Sequence, residues 1–262
     1  MTLKNFLTCL FLLTLAACGG GQDAPPAERG VLFAPNFRDA DPVDFASPNP
    51  SRFAVHGIDA ARFQTSVNWG RARANGVNFA FVKATEGGDL LDPAFKDHWR
   101  AAHRAGMWRG AYHFYYFCTP PEVQARWFIR NVPRVAGALP PVLDMEWNPF
   151  SPTCATLRPP AAEVQRQMRV WLRIVEAHYG HRPIIYTTPA FYEDADLASF
   201  GGYEFWLRST AETLREVYPG QSWRFWQYSS TGLIPGIAGE VDLNAFNGSR
   251  ADWEAWVAQR VR

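Results

Sequence analysis

The sequence predicts an α/β fold, a single-domain and irregular β/α barrel with about eight strands and few helices in its second half. Three observations lead there. Apolar strand-like runs alternate with helix-like segments, the pattern of a mostly parallel sheet. About eight such runs fall within a folded stretch of roughly 210 residues, which suits a closed barrel. No glycine-rich phosphate loop follows any of these runs, which counts against a nucleotide-binding open sheet. An open doubly wound sheet stays as the alternative architecture.

Taken in order, Phe53 to Ile58 is the first strand and closes at Asp59. A short helix runs through Trp69 and stops at Gly76, and Asn78 to Lys83 is the second strand. Asp92-Pro93 opens a helix, with Asp92 able to cap and Pro93 suited to the first helical position, and Gly106 ends it. Trp108 to Phe114 is the third strand. Thr119-Pro120-Pro121-Glu122 reads as a capping box for a helix through Trp127 and Ile129. Pro141 to Met145 is the fourth strand. Ala161 to Tyr179 places Val164, Met168, Trp171, Leu172 and Val175 at helical spacing, with Gly180 as the stop. Pro183 to Tyr186, Phe205 to Leu207, Phe225 to Tyr228 and Val241 to Phe246 are four further short strands, and a last helix starts after Ser249.

The chain before the first strand divides in two. Lys4 followed by the apolar run Phe6 to Ala17 is too short to span a membrane and has the form of a signal segment. It ends in Leu15-Ala16-Ala17-Cys18, which is similar to the bacterial lipoprotein cleavage box. Residues 1–17 are therefore expected to be a removed lipoprotein signal peptide, with Cys18 lipidated. Gly19 is unlike the Asp that retains lipoproteins in the inner membrane, which points to the outer membrane or periplasm. Residues 18–51, rich in Gly, Pro, Asp and Ala, read as a flexible tether, and 52–262 as the domain.

Of four Cys, two remain in the domain, Cys118 and Cys154. In an exported protein such a pair reads as a disulfide, contributing roughly 3–4 kcal/mol by the chain-entropy argument, with two free thiols as the alternative. The chain has 262 residues, 47% hydrophobic, enough for a substantial core. A net charge of +1 gives no reason to expect a nucleic-acid partner. The 11 Trp fit either a site that stacks on sugar rings or a large aromatic core. No His/Cys cluster has metal spacing, so neither a metal nor another cofactor is expected.

Acids fall at the strand ends. Asp59 closes the first strand, Asp144 and Glu146 close the fourth, and Asp242 lies in the last. In a β/α barrel the C-terminal strand ends share the face that hosts the site. Buried carboxylates are costly unless paired or functional. Asp144 and Glu146, two residues apart on a strand, point the same way at a spacing of about 6.5–7 Å. Close carboxylates oppose each other's ionisation, so one holds a proton beside a charged partner, the division of labour that glycoside hydrolysis needs.

The ordered set Gly57-Ile58-Asp59, Phe81-Val82-Lys83-Ala84-Thr85-Glu86-Gly87, Gly110-Ala111-Tyr112-His113-Phe114, Pro140-Pro141-Val142-Leu143-Asp144-Met145-Glu146, Ile185-Tyr186-Thr187, Phe205-Trp206-Leu207, Trp226-Gln227-Tyr228 and Val241-Asp242-Leu243-Asn244 resembles glycoside hydrolase family 25. The resemblance covers about residues 55 to 248. It implies a lysozyme, an N-acetylmuramidase cutting the β-1,4 bond after N-acetylmuramic acid in peptidoglycan. It implies Glu146 as general acid, Asp144 as the acid that stabilises positive charge, and Asp59 and Asp242 as further acids of the cleft. It places Tyr112, Tyr186, Trp206, Trp226 and Gln227 near the sugar groove. Ala60-Ala61-Arg62-Phe63 departs from the family pattern, as do Cys118 and Cys154.

Glu146 is expected to have the more elevated pKa of its pair, since Glu starts near about 4.3 against about 3.9 for Asp. Lys83 and Glu86 read as an ion pair at the rim, and His113 as an orienting hydrogen-bond partner. The implied protein is a monomer attached to the membrane by its lipid, with peptidoglycan glycan as partner. Two other readings stay open: a non-catalytic wall-binding lipoprotein, and a glycosidase on another N-acetylhexosamine polymer such as chitin.

Overall fold

The computed structural model describes residues 30–151 and 153–260. Among them, eight strands close a barrel: β1 (His56–Ala60), β2 (Val77–Glu86), β3 (Trp108–Phe114), β4 (Val142–Met145), β5 (Ile184–Thr187), β6 (Glu204–Arg208), β7 (Phe225–Leu233) and β8 (Val241–Phe246). Successive strands from β1 to β7 pair in parallel. β8 runs antiparallel to both of its neighbours, β7 and β1, and shuts the ring. Every barrel strand is paired on both sides, so the open sheet is excluded.

Alternation along each strand builds two cores. Inward residues such as Phe79, Phe81, Val142, Ile184 and Phe225 fill the barrel. Outward residues such as Val82, Leu143, Ile185 and Leu207 pack against the surrounding helices. Those are α1 (Trp69–Ala74), α2 (Phe95–Arg104), α3 (Pro121–Asn131) and α4 (Ala161–Tyr179). In the second half, α5 (Pro189–Asp194) and α6 (Leu214–Val217) have only 6 and 4 residues, so this side is thinly covered, as expected. The last helix, α7 (Arg250–Arg260), places Trp253, Trp256 and Val257 in the interior cluster with Phe79 and Phe246.

Glycine makes the interior possible at two positions. A Cβ on Gly57 would lie 2.4 Å from the Phe79 carbonyl oxygen and 2.5 Å from its ring, and one on Gly110 would lie 2.8 Å from the Phe81 ring. Both glycines face inward and leave room for those phenylalanines. Gly57→Ala should therefore cost about 1–3 kcal/mol by overpacking. A urea midpoint that falls at unchanged m checks it.

Several local expectations are corrected. The first helix starts only at Trp69, because Asn68 caps it by accepting from the Arg71 N–H at 2.9 Å. α3 has no capping box: Pro120 is its N-cap, with no side-chain cap bond, and the consecutive prolines set the backbone instead. Leu90–Leu91 forms an unforeseen short strand folded back on β2. None of the described tryptophans is exposed, and most belong to the two cores, so the Trp surplus is mainly structural.

Residues 32–45 pack on the domain instead of forming part of the tether expected over 18–51. Arg38–Asp39 adds a short antiparallel strand to the end of β7. The Phe33 N–H donates to Asn78 Oδ1 at 2.8 Å, and Phe45 is buried with its ring 5.0 Å from that of Trp226. The composition resembles a linker, yet Leu32, Phe33, Phe37 and Phe45 give this segment apolar surface to bury. Residues 1–17 and Cys18 lie outside the described residues.

Candidate active site

All four acids line one groove of about 930 Å³ at the mouth of the barrel. β1 carries Asp59, β4 carries Asp144, and Glu146 follows one residue past β4. Asp242 arrives differently from the expectation. β8 runs in reverse, so it is the N-terminal end of β8 that reaches this face, with Asp242 directly opposite Asp59 in the ladder.

Two side-chain amides hold Asp59. Its Oδ2 accepts from Gln227 Nε2 at 2.9 Å and from Asn244 Nδ2 at 2.8 Å. Each amide is itself oriented: Tyr186 Oη donates to Gln227 Oε1 at 2.8 Å, and Trp206 Nε1 donates to Asn244 Oδ1 at 2.8 Å. Burial raises the pKa of Asp59, and these donors, together with a hydrogen bond from Asp242, oppose the rise. Asp242 is pushed up to about 9 by burial, by the charge of Asp59 and by its hydrogen bond to Asp59. Burial and the mutual repulsion of the two carboxyls favour one proton held between Asp59 and Asp242 over two ionised carboxylates.

Asp144 sits deeper. Burial raises its pKa well above the ordinary value, and the charge of Glu146 raises it further. Among the described residues no hydrogen bond reaches its buried Oδ1. Glu146 is also raised by burial, but Arg208 and Lys83 pull it back. Both carboxyls are therefore raised by burial, and Lys83 opposes the rise at each, with Arg208 opposing it at Glu146 as well. Cations compensate Glu146 at the mouth, whereas Asp144 has less charge compensation and less solvent.

Tyr112, Tyr186, Trp206 and Gln227 line the groove, as expected. Trp226 does not. Neighbours on a strand face opposite ways, so with Gln227 inward Trp226 points outward, buried beside Phe45 and Phe53, with its Nε1 donating to the Ser209 carbonyl at 2.8 Å. His113 also faces outward. It bonds Thr85 Oγ1 at 2.8 Å and Gln124 Oε1 at 3.1 Å, and burial brings its pKa down to about 4, so it is a neutral structural residue. Lys83 and Glu86 form the rim ion pair at 2.6 Å, and Tyr116 Oη donates to Glu86.

Among the described residues no group of three or more His, Cys, Asp or Glu is placed to hold a metal ion. The acids, the amide clamp and the inward aromatics form a site for proton transfer to and from a bound polar ring. Residues 58–237 match the family described as glycosyl hydrolases family 25. The chain belongs to glycosyl hydrolases family 25. Lysozyme M1 of Streptomyces globisporus is 35% identical over 239 residues, covering 86% of this chain and 76% of that lysozyme. YegX of Escherichia coli (strain K12), named an uncharacterized protein, is 37% identical over 218 residues, covering 81% of this chain and 77% of YegX. The structure of a family 25 glycosyl hydrolase from Bacillus anthracis superimposes with a TM-score of 0.70 at 30% identity, covering 83% of this chain and 97% of that one.

Sequence reasoning missed two residues of this family 25 site. Asn244 lies two residues after Asp242, and Arg208 two after Trp206, so the period of a strand puts each pair on one face and could have found both. Cys118 and Cys154 are bonded, with Cα atoms 5.6 Å apart and a sequence separation of 36, and the bridge ties the loop after β4 to the turn after β3. Its removal by Cys118→Ala with Cys154→Ala should cost roughly 3–4 kcal/mol, read as a lower urea midpoint.

The raised acids set a pH dependence of stability. In the folded chain burial and Asp59 push the Asp242 carboxyl up to about 9, from an ordinary value of 3.8. Between those values the folded chain keeps a proton that the unfolded chain has lost. The contribution is therefore complete below the unfolded pKa and declines as pH rises toward the folded one, by at most about 1.4 kcal/mol per pH unit. Asp242→Asn keeps a donor to Asp59 and should flatten the fall in stability between pH 5 and pH 8. Equal slopes for the two proteins would contradict the shared proton.

Proposed function

We propose that this family 25 glycoside hydrolase is a muramidase, cleaving the β-1,4 bond between N-acetylmuramic acid and N-acetylglucosamine in peptidoglycan. The observation that carries the reading is the gathering of four carboxylates in one aromatic-walled groove, with a proton retained at neutral pH on at least one of them. A non-catalytic binder has no use for buried acids that cost folding energy.

In this reading Glu146 is the general acid. It stands at the mouth, more open than Asp144, where a leaving sugar oxygen can reach it. Asp144 Oδ1 accepts no hydrogen bond in the free site, and an acetamido N–H of the substrate supplies a suitable donor. Such a bond favours ionised Asp144, whose charge then favours a protonated Glu146. Asp144 then stabilises positive charge developing at the sugar or its N-acetyl group. Asp59, fixed by Gln227 and Asn244, and Asp242 shape the polar wall beside the reacting ring.

The first test is substrate class. The wild-type protein is expected to clear a suspension of purified peptidoglycan and to leave colloidal chitin untouched. Equal or faster release from chitin would assign it to another N-acetylhexosamine polymer.

The mature chain is further read as a monomer held at the cell envelope, outer membrane or periplasm, through lipid on Cys18. The run Leu15-Ala16-Ala17-Cys18 supports this. Several acyl chains on one Cys suffice for stable attachment where one alone does not. Cys18→Ser should move the protein from the membrane to the soluble fraction.

A further inference from the structure

Among the described residues only two aromatic side chains are exposed, Phe63 at 70% and Phe150 at 92%, and both line the active-site groove. Scattered exposed apolar residues need no explanation, but exposed aromatics confined to one groove do. They stand on different rims. Phe63 lies in the loop after β1, and Phe150 in the loop after β4, with β2 and β3 between them around the barrel. The rim between them carries the Lys83–Glu86 ion pair with Tyr116 on Glu86, and half-exposed Leu90.

Each ring stands beside anchored residues of its loop. The Arg62 N–H donates to Asp92 Oδ2 at 3.0 Å, the Ala61 N–H donates to Gln64 Oε1 at 3.0 Å, and the Arg62 guanidinium lies 5.0 Å from the Phe63 ring centre. On the other rim, Trp147 Nε1 donates to Asp194 Oδ2 at 2.8 Å, and its ring packs 4.6 Å from that of Phe191. The Cys118–Cys154 bridge ties the far side of the same loop. Phe150 faces solvent, with little to pack against in the free protein.

We propose that Phe63 and Phe150 form a sugar-binding subsite outside the reacting pair, gripping the continuing glycan strand between them. This rests on the muramidase reading. A pyranose ring offers apolar C–H faces to an aromatic ring and hydroxyls to its edges, and the Lys83–Glu86–Tyr116 group supplies polar partners between the two phenylalanines. The groove is continuous from these rings to the four acids, so a polymer seated at the acids passes them. The ligand is the polysaccharide, not the stem peptide. Phe63 and Phe150 stand on rim loops away from the four acids, so the subsite concerns strand affinity rather than the chemistry at those acids.

The test measures binding, so that hydrolysis does not enter. Glu146→Gln protein, alone and with Phe63→Ala and Phe150→Ala, is sedimented with insoluble peptidoglycan and with the same glycan stripped of peptides by an amidase. Losing both stacking faces should weaken binding at least about tenfold on either material. Phe150→Tyr should restore most of its share. In the otherwise wild-type protein the double substitution should raise KM on polymer and leave kcat unchanged. Both side chains are exposed, so these variants should fold, which circular dichroism checks. Equal sedimentation of parent and double variant would overturn the subsite, whether or not the wild type hydrolyses the wall. Loss of binding on the peptide-stripped glycan by the parent would overturn the choice of ligand. Failure of the wild type to cut peptidoglycan, with binding intact and sensitive to the two phenylalanines, would sink only the muramidase reading.

Discussion

Glu146→Gln should lower turnover on purified peptidoglycan by at least about 10²-fold, the lower end for loss of a general acid, with the fold intact. The sugar oxygen leaves poorly unless protonated, and glutamine keeps the shape of the side chain without a transferable proton. Burial holds Glu146 above its ordinary pKa, while Arg208 and Lys83 keep the rise moderate, which suits an acid that must also give its proton up. The same substitution has a second readout. The charge of Glu146 is one cause of the raised pKa of Asp144, so in Glu146→Gln the Asp144 carboxyl should ionise at lower pH than in the wild type. Carboxyl-region infrared difference spectra across a pH series would show the shift. Near wild-type turnover in a well-folded Glu146→Gln protein would remove Glu146 from the mechanism and make Asp144 the candidate acid.

Asp144→Asn should be slowed comparably, by about 10²–10³-fold, because a fixed charge aimed at the developing positive centre is lost. Its signature differs. The general acid stays in place, so the loss falls on kcat for every substrate, including those with an activated leaving group. Glu146→Gln should regain activity on such substrates, because their leaving oxygen needs no proton. Comparing the two variants on an aryl glycoside and on peptidoglycan separates the roles. Equal recovery of both on the aryl substrate would contradict the assignment.

Much of this site is readable in the sequence, and the reasons are local. Val142 to Glu146 is an apolar run with acids at its end, and strand alternation alone puts Asp144 and Glu146 on one side. Ala161 to Tyr179 carries its own helical spacing and a glycine stop, and α4 has those bounds. What was not legible depends on partners distant in sequence. The reversed direction of β8 is set by closure between β7 and β1, not by anything in Val241 to Phe246. Trp226 falls within a motif that also holds Gln227, and only the register of β7 decides which of the two faces the cleft. The cations that oppose the raised pKa values of the pair, Arg208 on β6 for Glu146 and Lys83 on β2 for both acids, come from distant strands that the reference values of isolated side chains ignore. The segment around Phe45 reads as linker until Trp226 gives it a surface.

The groove holding Asp59, Asp144, Glu146 and Asp242 is expected to cut glycan after N-acetylmuramic acid. Mass analysis of the reducing ends that the wild-type protein releases from purified peptidoglycan tests it most directly. The account predicts new ends that carry N-acetylmuramic acid, recovered as its alcohol after borohydride reduction and absent from the Glu146→Gln digest. New ends carrying N-acetylglucosamine, or no new ends at all, would contradict it.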